Sequence, residues 1–480
     1  MLENCKPEAV WRYFEEFCAI PHPSGHEKKA AEYIVACAEK LGLKSETDAA
    51  GNVLIRKKTQ RKPADSDPVI LQSHLDMVPQ KNDTTDHNFT QDPIRPVLDG
   101  DWVTAQGTTL GADNGIGVAV ALAVLEDTTI SHGPIEALFT IDEERGMTGA
   151  FGLSSDFLSG RKMINLDTEN DEEICIGCAG GTDIIGSLPL QRENTPEGYV
   201  GLSITINGLL GGHSGLEIHL ERSNALKELG KLLGRIKELV PMQLCSVRGG
   251  TACNAIPREA FATIVVPNDT QHDVESIISK HAKSRSAYFS KKDPDFSVST
   301  ELCDAPSKAI TPEVCTDLLT IMSTVSNGVL AMSKALDGIV ETSNNLAIIK
   351  EKDGNILVEC MSRSSSEAAL IALKKDITDL FRNNGATVYY ESTFPGWQPD
   401  PGSSLLSVIK QAYASVNGKE PTVVVVHAGL ECGVIGDRFP GMEMISCGPT
   451  IQFAHSPDER MNIASVERFW KFIVAGLELL

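Results

Sequence analysis

Apolar, strand-like segments that end in acidic residues or a histidine constrain the fold of this chain most strongly. These segments and the residues that follow them are 69–71 before His74, 135–141 before Asp142-Glu143-Glu144, and 163–166 before Asp167. Charge at the end of a buried strand is costly unless it is paired or bound to a metal. The carboxyl ends of strands in open α/β sheets are also where ligands bind. The pattern therefore predicts an α/β sheet with a polar site along one edge.

Helix-like segments alternate with these strands, which predicts an α/β fold with a central mixed, largely parallel sheet flanked by helices. Ser24 and Glu27 have the spacing of a capping box and predict the start of a helix. The other predicted helices are 112–125, 225–239, 367–381 and 466–479, and the other predicted strands are 52–56, 202–206, 260–266, 356–361, 423–426 and 442–445.

The length of 480 residues exceeds what one core usually serves and predicts two domains. The pattern changes after a glycine-rich stretch near 177–181, and a new series of strands and helices begins near 199. Beyond 395 the first pattern resumes. We predict a discontinuous catalytic domain formed by residues 1–198 and 396–480, with an inserted α+β domain at 199–395.

Composition excludes several classes of protein. Lys and Arg number 43 against 65 Asp and Glu, so the net charge of −22 disfavours nucleic acid as a partner. The sequence has no long apolar run to span a membrane and no basic start followed by an apolar stretch. We therefore expect a cytoplasmic protein. Its twelve cysteines are expected to be reduced, and Cys175 and Cys178 form a C-x-x-C pair for which ordinary packing is favoured over a redox or zinc role.

His74 and Asp76 are two residues apart at the end of a strand, so their side chains point to the same side. Asp76 can accept a proton from one imidazole nitrogen while the other nitrogen binds a metal, which fixes the tautomer of the ring. A polar strand end without a ligand is the alternative interpretation.

Asp113 lies in a glycine-rich turn before the apolar helix 112–125, where its carboxylate can bridge two cations. Taken alone, Asp113 is also a good helix N-cap.

Glu143 and Glu144 can have different roles, because one can bind a metal while the other contacts a metal-bound water molecule. A solvated acidic loop is the alternative interpretation of these two residues. His455 follows the last predicted strand. Together, two histidines and three carboxylates (His74, Asp113, Glu144, Asp167 and His455) form a nitrogen and oxygen set that suits two zinc ions.

The ordered motifs H-L-D, G-A-D-N-G-I-G, D-E-E, N-L-D and A-H-S-P-D-E-R resemble the aminoacylase and carboxypeptidase G family of co-catalytic zinc peptidases. The segments at 20–27, 211–215 and 254–257 resemble the branch of that family that cleaves Xaa-His dipeptides, such as β-alanyl-histidine. The resemblance covers nearly the whole chain. It implies two zinc ions per chain, for which manganese or cobalt can substitute.

The resemblance also implies roles for individual residues. His74 and Asp167 would be terminal ligands of one zinc, Glu144 and His455 of the other, and Asp113 would bridge them. Glu143 would be the general base and Asp76 would orient His74. The inserted domain would form a homodimer and supply His213 to the oxyanion. The remaining residues implied to bind the substrate are Asn254, Arg363 and Gly429.

Three functions are compatible with this reasoning. A cytoplasmic Xaa-His dipeptidase is the prediction that the resemblance favours. A broad dipeptidase or an N-acyl amino acid amidohydrolase would use the same metal chemistry. A non-catalytic metal-binding protein of the same fold is the third, but the base and the five ligands are all present.

Overall fold

The computed structural model describes residues 2–63, 66–334 and 336–480. These residues form two units. Unit 1 contains residues 1–178, 397–426 and 430–480, and unit 2 contains residues 179–396 and 427–429. The first division therefore falls earlier than the predicted boundary at 198, because strand 180–189 pairs with strands 355–364 and 387–394 of unit 2.

The described residues form twelve α-helices: α1 (Glu8–Cys18), α2 (Lys28–Lys40), α3 (Ala112–Glu126), α4 (Glu143–Gly146), α5 (Thr148–Gly152), α6 (Ala225–Leu239), α7 (Gln271–Phe289), α8 (Pro312–Thr324), α9 (Glu367–Asn383), α10 (Ser404–Asn417), α11 (Glu431–Arg438) and α12 (Ile463–Leu479). Local sequence explains several starts. Side chains of Asn224, Ser366, Ser403 and Asn462 accept a hydrogen bond from the third backbone N–H of the helix that follows. None of these helices is both long and apolar enough to cross a bilayer.

The strands of the described residues are β1 (Lys44–Thr47), β2 (Val53–Lys57), β3 (Val69–His74), β4 (Pro96–Asp99), β5 (Trp102–Ala105), β6 (Ile135–Thr140), β7 (Lys162–Asn165), β8 (Glu173–Cys178), β9 (Gly180–Pro189), β10 (Arg192–Asn194), β11 (Tyr199–Asn207), β12 (Gly212–His213), β13 (Gln243–Gly249), β14 (Ala255–Ile256), β15 (Ala260–Pro267), β16 (Ser297–Cys303), β17 (Lys308–Ile310), β18 (Gly328–Met332), β19 (Val340–Lys352), β20 (Asn355–Ser364), β21 (Thr387–Phe394), β22 (Thr422–Val426), β23 (Glu443–Ser446), β24 (Ile451–Gln452) and β25 (Arg460–Asn462).

Unit 1 is built on an eight-stranded sheet with the order β1-β2-β6-β3-β7-β23-β8-β22. Strands β6, β3, β7 and β23 run parallel, whereas β1, β2 and the β23–β8 contact are antiparallel. Every residue of β3 and β6 is buried, as expected for strands covered on both faces. The predicted fold class, a mixed sheet with helices, is confirmed.

The parallel register brings the carboxyl ends of these strands to one edge. His74 at the end of β3 is opposite Thr140 at the end of β6, and Gln72 of β3 is opposite Asn165 of β7. Helix α3 begins after a turn in which Gly111 has φ of 69°, a left-handed conformation that glycine adopts without strain. Asp113 itself has a non-helical backbone, with φ of −81° and ψ of 108°, and its two carboxylate oxygens face the imidazoles of His74 and His455.

Unit 2 contains a nine-stranded antiparallel sheet in which β16, β11, β15, β13, β19, β20, β9 and β21 follow one another, with β18 added beside β19. Its apolar face joins residues of α6, α8 and α9 in one buried core that includes Leu229, Leu318 and Phe381. The sheet places Arg363 of β20 opposite Ser343 of β19 and Gly181 of β9.

The predicted capping box at Ser24 and Glu27 is wrong. Helix α2 begins at Lys28, with Glu27 as its N-cap, and no side chain caps it. The Ser24 hydroxyl instead donates to Asp76 Oδ2 at 2.8 Å, and Glu27 Oε1 accepts from the Gly25 N–H at 2.5 Å. The Ser24 hydroxyl, which local spacing predicts as a helix cap, therefore donates its hydrogen bond to a carboxylate that is distant in the sequence.

Candidate metal centre and substrate-binding residues

The five residues predicted to hold metals lie together at the carboxyl edge of the unit 1 sheet. His74 ends β3, Glu144 follows β6, and Asp167 follows β7. Asp113 stands in the first turn of α3, and His455 lies in the loop after β24. Parallel strands deliver three of these residues, while a helix start and a loop supply the other two.

Asp113 is the centre of this arrangement. Its Oδ1 lies 3.1 Å from His74 Nε2, and its Oδ2 lies 3.0 Å from His455 Nε2. One carboxylate therefore faces both imidazoles, with a separate oxygen for each. The two histidines hold the pKa of Asp113 well below its usual range, although burial opposes its ionisation.

Each histidine has a second carboxylate neighbour. Asp167 Oδ1 lies 3.3 Å from His74 Nε2, and Glu144 Oε1 lies 3.0 Å from His455 Nε2. Both oxygens are buried and make no hydrogen bond of normal geometry with any residue that the structure describes. Potential ligand atoms of His74, Asp113 and Glu144 lie within 4.8 Å of one another. Buried carboxylate oxygens without donors, grouped around imidazole nitrogens, fit a cation-binding site.

Asp76 contacts more residues at this edge of the sheet than its spacing from His74 predicts. His74 Nδ1 lies 3.0 Å from the Asp76 backbone oxygen and 3.4 Å from the carboxylate Oδ1, so the backbone oxygen is the closer partner. The carboxylate accepts from the N–H groups of Glu143 at 2.9 Å and Glu144 at 3.2 Å. Burial opposes ionisation of Asp76, but these hydrogen bonds and His74 lower its pKa to about 2. Asp76 thus holds both His74 and the two glutamates.

Glu143 begins the short helix α4, whose N-cap Asp142 is left-handed with φ of 55°. A sharp turn at Asp142, and not an extended strand, therefore leads into Glu143 and Glu144. Burial raises the pKa of Glu143 well above its usual value, and the carboxylates of Asp167, Glu431 and Glu144 raise it further, against a lowering by His74. A carboxylate with a raised pKa is suited to proton transfer near neutral pH.

Glu459 shapes the turn that carries Asp113, a role that the sequence did not suggest. Its buried carboxylate accepts from the N–H groups of Leu110 at 2.7 Å, Gly111 at 3.0 Å and Ala112 at 2.8 Å. The Asn114 amide donates to the Leu166 oxygen at 2.7 Å, which ties the same turn to the end of β7. Glu459 belongs to the A-H-S-P-D-E-R motif, but nothing in local spacing indicates that it contacts residues near 110.

Replacing Glu459 with alanine should destabilise the metal-free protein by about 3 kcal/mol, because at least three buried N–H groups lose their acceptor. Urea denaturation of metal-free protein would measure the loss. Glu467→Ala is the control, since that exposed glutamate pairs with Lys471 one turn later on α12 and should contribute at most about 0.5 kcal/mol. Equal stability of the two variants would contradict the role of Glu459.

The predicted substrate residues lie in unit 2. His213 in β12 pairs with Ala255 in β14, which places Asn254 beside it. The His213 Nδ1 accepts from the N–H groups of Gly215 at 3.2 Å and Leu216 at 2.9 Å. The ring proton of neutral His213 is therefore on Nε2, where it is free to be donated.

Arg363 is 4% exposed, and its Nε makes no hydrogen bond to the residues that the structure describes. A Cβ built on Gly215 would lie 3.0 Å from His213 Cε1 and 3.2 Å from Arg363 Nε, so both side chains border the same point. A buried guanidinium without a full set of acceptors favours an anion as its partner.

Gly429 is packed against an aromatic ring, since a Cβ there would lie 2.9 Å from the Phe394 ring. His427, two residues before Gly429, is buried, and its Nε2 lies 2.8 Å from the Ser343 hydroxyl oxygen. This histidine was not among the predicted substrate-binding residues.

Cys175 and Cys178 are fully buried free thiols. Burial raises the pKa of both thiols, to about 11 and about 12 respectively, which disfavours thiolate chemistry.

The profile of peptidase family M20/M25/M40 matches residues 70–478, and the chain belongs to this family. It is 41% identical over 477 residues to the cytosol non-specific dipeptidase of Escherichia coli strain K12, covering 99% of this chain and 98% of that protein. The crystal structure of aminoacylhistidine dipeptidase from Vibrio alginolyticus matches with a TM-score of 0.93 at 40% identity, covering 100% of this chain and 98% of that one.

The aminopeptidase PepT of Bacillus cereus shares the fold, with a TM-score of 0.58 at 16% identity over 99% of both chains. The predicted family resemblance and the predicted class, a hydrolase that acts on peptide bonds, are confirmed. The roles of the individual site residues and the identity and number of the metals remain predictions.

Proposed function

We propose that this protein is a dinuclear zinc dipeptidase that hydrolyses Xaa-His dipeptides. One observation carries the proposal: the two oxygens of Asp113 lie 3.1 and 3.0 Å from the imidazoles of His74 and His455. A carboxylate in that position is arranged to serve two cations at once. His74 and Asp167 would complete one site, and His455 and Glu144 the other.

The donor set supports zinc as the metal. Two imidazoles and three carboxylates combine nitrogen and oxygen ligands of the kind that zinc accepts, and manganese or cobalt could occupy the same sites. When bound, a pair of such ions supplies Lewis-acid polarisation of a carbonyl and lowers the pKa of water toward neutrality.

Glu143 would act as the general base. Its backbone N–H is held by Asp76, which also lies against His74, so its position is linked to that of the metal ligands. Glu143 would accept a proton from the attacking water and return it to the leaving amine.

His213, Asn254, Arg363 and Gly429 would bind the substrate. The free Nε2–H of His213 suits it to stabilise an oxyanion. Arg363 would bind the terminal carboxylate of the dipeptide, and a charge-assisted contact of this kind restricts cleavage to short peptides with a free carboxyl end.

Replacing Arg363 with methionine should raise KM for dipeptides about 100-fold, because a buried charge-assisted contact is lost. The wild-type protein should also prefer a dipeptide to its C-terminal amide, and the variant should lose that preference. Arg248→Met is the control, since Arg248 is an exposed arginine of β13 in the same unit. A variant that still prefers the free acid by the wild-type margin would refute the assignment.

The names of two relatives differ in the range of substrates that they indicate. The Vibrio relative is named for aminoacylhistidine substrates, whereas the Escherichia coli relative is named non-specific. A broad dipeptidase with the same site is therefore the second candidate, and Xaa-His peptides would then be some of its substrates.

The deciding experiment measures hydrolysis of β-alanyl-histidine, glycyl-histidine, alanyl-alanine and an N-acetyl amino acid by the purified protein. Each assay is run with chelator and after zinc is restored, and bound zinc is counted per chain. We expect two zinc ions and chelator-sensitive cleavage that favours Xaa-His. Equal cleavage of alanyl-alanine would favour the broad dipeptidase. Cleavage of the acetylated substrate alone, or of none by zinc-loaded protein, would overturn the proposal.

We also propose that the protein is cytoplasmic, on the strength of the cytosol location in the name of its Escherichia coli relative. The family resemblance further supports a homodimer formed through unit 2. Analytical ultracentrifugation at several concentrations would show a mass of one chain if the dimer assignment is wrong.

A further inference from the structure

Glu431 is a buried carboxylate in unit 1 to which the proposed chemistry assigns no role. It is the first residue of α11 and has no measurable solvent exposure. Its Oε1 is buried and makes no hydrogen bond with the residues that the structure describes. Burial of a carboxylate without a full set of donors is costly.

The other oxygen of Glu431 joins the two strands that lead to His74 and Glu143. Glu431 Oε2 accepts from Gln72 Nε2 at 2.7 Å and from the Thr140 hydroxyl at 2.6 Å. Gln72 is on β3, two residues before His74, and Thr140 ends β6, three residues before Glu143. A single carboxylate therefore connects the ends of neighbouring parallel strands immediately before the predicted ligands and base.

The same hydrogen-bonded layer continues across the sheet. Gln72 Oε1 accepts from Asn165 Nδ2 at 2.5 Å, and the Asn165 Oδ1 accepts from the Ser446 hydroxyl. Asn165 lies on β7, two residues before Asp167, and is opposite both Gln72 and Ser446 in the sheet. Each of these side chains is at most 1% exposed. The layer thus crosses β6, β3, β7 and β23 at or near their carboxyl ends.

Apolar side chains could fill the same space, and they would leave no buried polar atoms that need hydrogen-bond partners. Hydrogen bonds differ from apolar contacts because they are directional, and a connected buried network selects one arrangement of its strands. A metal centre needs this selection, since its ligands must be held to within about 0.5 Å of their working positions. The unpartnered Oε1 of Glu431 also indicates that the network is not arranged for stability alone.

We propose that Glu431 is a positioning residue that clamps the ends of β3 and β6 and thereby sets the spacing between His74 and the Glu143–Glu144 pair. This inference rests on the proposed metal site. It predicts that removal of the clamp weakens metal binding and the chemical step, while substrate affinity changes little, because Glu431, Gln72 and Thr140 all belong to unit 1 and none is a predicted substrate-binding residue.

The test compares Glu431→Met with Glu136→Met, because methionine keeps an unbranched side chain of similar length but has no oxygen to accept the hydrogen bonds. Glu136 is a matched control: it is 2% exposed, lies on the same strand β6, and accepts from the N–H groups of Ser159 at 3.0 Å and Gly160 at 2.9 Å, but sits four residues before Thr140. Zinc affinity is measured by calorimetry without peptide, and kcat and KM are measured with saturating zinc. Thermal melting of the metal-free proteins shows how far each substitution acts on stability alone.

We expect Glu431→Met to weaken zinc binding about tenfold or more, as replacement of a residue that supports a metal ligand commonly does. It should lower kcat by a similar factor and change KM by no more than about twofold. Glu136→Met should retain wild-type zinc affinity and kcat. Thr140→Val removes one donor to Glu431 and keeps the side-chain shape, so it should move zinc affinity in the same direction, and it carries the test if Glu431→Met does not fold.

Equal zinc affinity in the Glu431 and Glu136 variants, or wild-type affinity in Thr140→Val, would overturn the positioning role. Such a result would leave the proposed dipeptidase intact if the wild-type protein cleaves dipeptides. Conversely, a wild-type protein that binds zinc but cleaves no dipeptide would refute the proposed function, while the zinc measurements would still decide the role of Glu431.

Discussion

Glu143→Gln should bind zinc as the wild-type protein does and lose about 10³-fold or more in kcat. Glutamine has nearly the shape of glutamate but cannot accept the proton of the attacking water, and general bases commonly contribute about 10²- to 10⁴-fold. The Asp76 carboxylate accepts from the backbone N–H of residue 143, so this anchor survives the substitution. Zinc per chain and steady-state kinetics with β-alanyl-histidine would be measured on the same preparation.

Glu136→Gln provides the control for this substitution, since it makes the same chemical change on β6 away from the metal ligands. It should retain near wild-type kcat. A zinc-loaded Glu143→Gln protein with near wild-type turnover would contradict the assignment of Glu143 as the base. Loss of zinc from this variant would instead assign Glu143 to metal binding.

Asp113→Asn should abolish the paired metal site and bring hydrolysis below detection. The aspartate presents one oxygen to each imidazole, at 3.1 Å and 3.0 Å, and an asparagine replaces one oxygen with an NH₂ group and removes the negative charge. Replacing a residue that only hydrogen-bonds to a metal ligand lowers metal affinity by up to about 100-fold, and loss of a ligand that bridges both metals should lower it further. We therefore expect fewer than two zinc ions per chain and an affinity lowered by more than about 100-fold.

Zinc stoichiometry by elemental analysis and affinity by calorimetry would measure this effect. Asp99→Asn is the control, because Asp99 is exposed at the end of β4 and has no place in the predicted site. Two zinc ions bound at wild-type affinity by Asp113→Asn would show that Asp113 does not bridge metals.

The secondary structure was largely predictable from the sequence. The predicted helices 112–125 and 225–239 correspond to α3 and α6, and the predicted strands 52–56 and 260–266 to β2 and β15. These segments have strong apolar patterns whose period depends on local geometry alone. Errors occurred where a side chain had a distant partner. Ser24 has the local spacing of a capping residue but donates to Asp76, so local spacing could not identify its role.

The site shows the same difference between local and distant contacts. Acidic residues and a histidine at strand ends marked the predicted ligands, because charge there is unusual. Nothing in the sequence around Glu459 indicated its role, because its three hydrogen bonds come from backbone N–H groups of residues 110–112, which are distant in the chain. Glu431 looked like an ordinary helix start, and its contact with Gln72 joins residues 359 positions apart.

The amino-acid sequence alone was enough to predict which chemical groups this protein can use and the order in which strands, helices and polar residues follow one another. Periodicity and unusual charge are local properties, so they can be seen without a structure. The packing of the folded chain was needed to show that both oxygens of Asp113 face imidazoles, that Asp76 holds Glu143 as well as His74, and that buried side chains connect the strand ends. These features depend on distances between residues far apart in the chain, which the packing of the sheet sets.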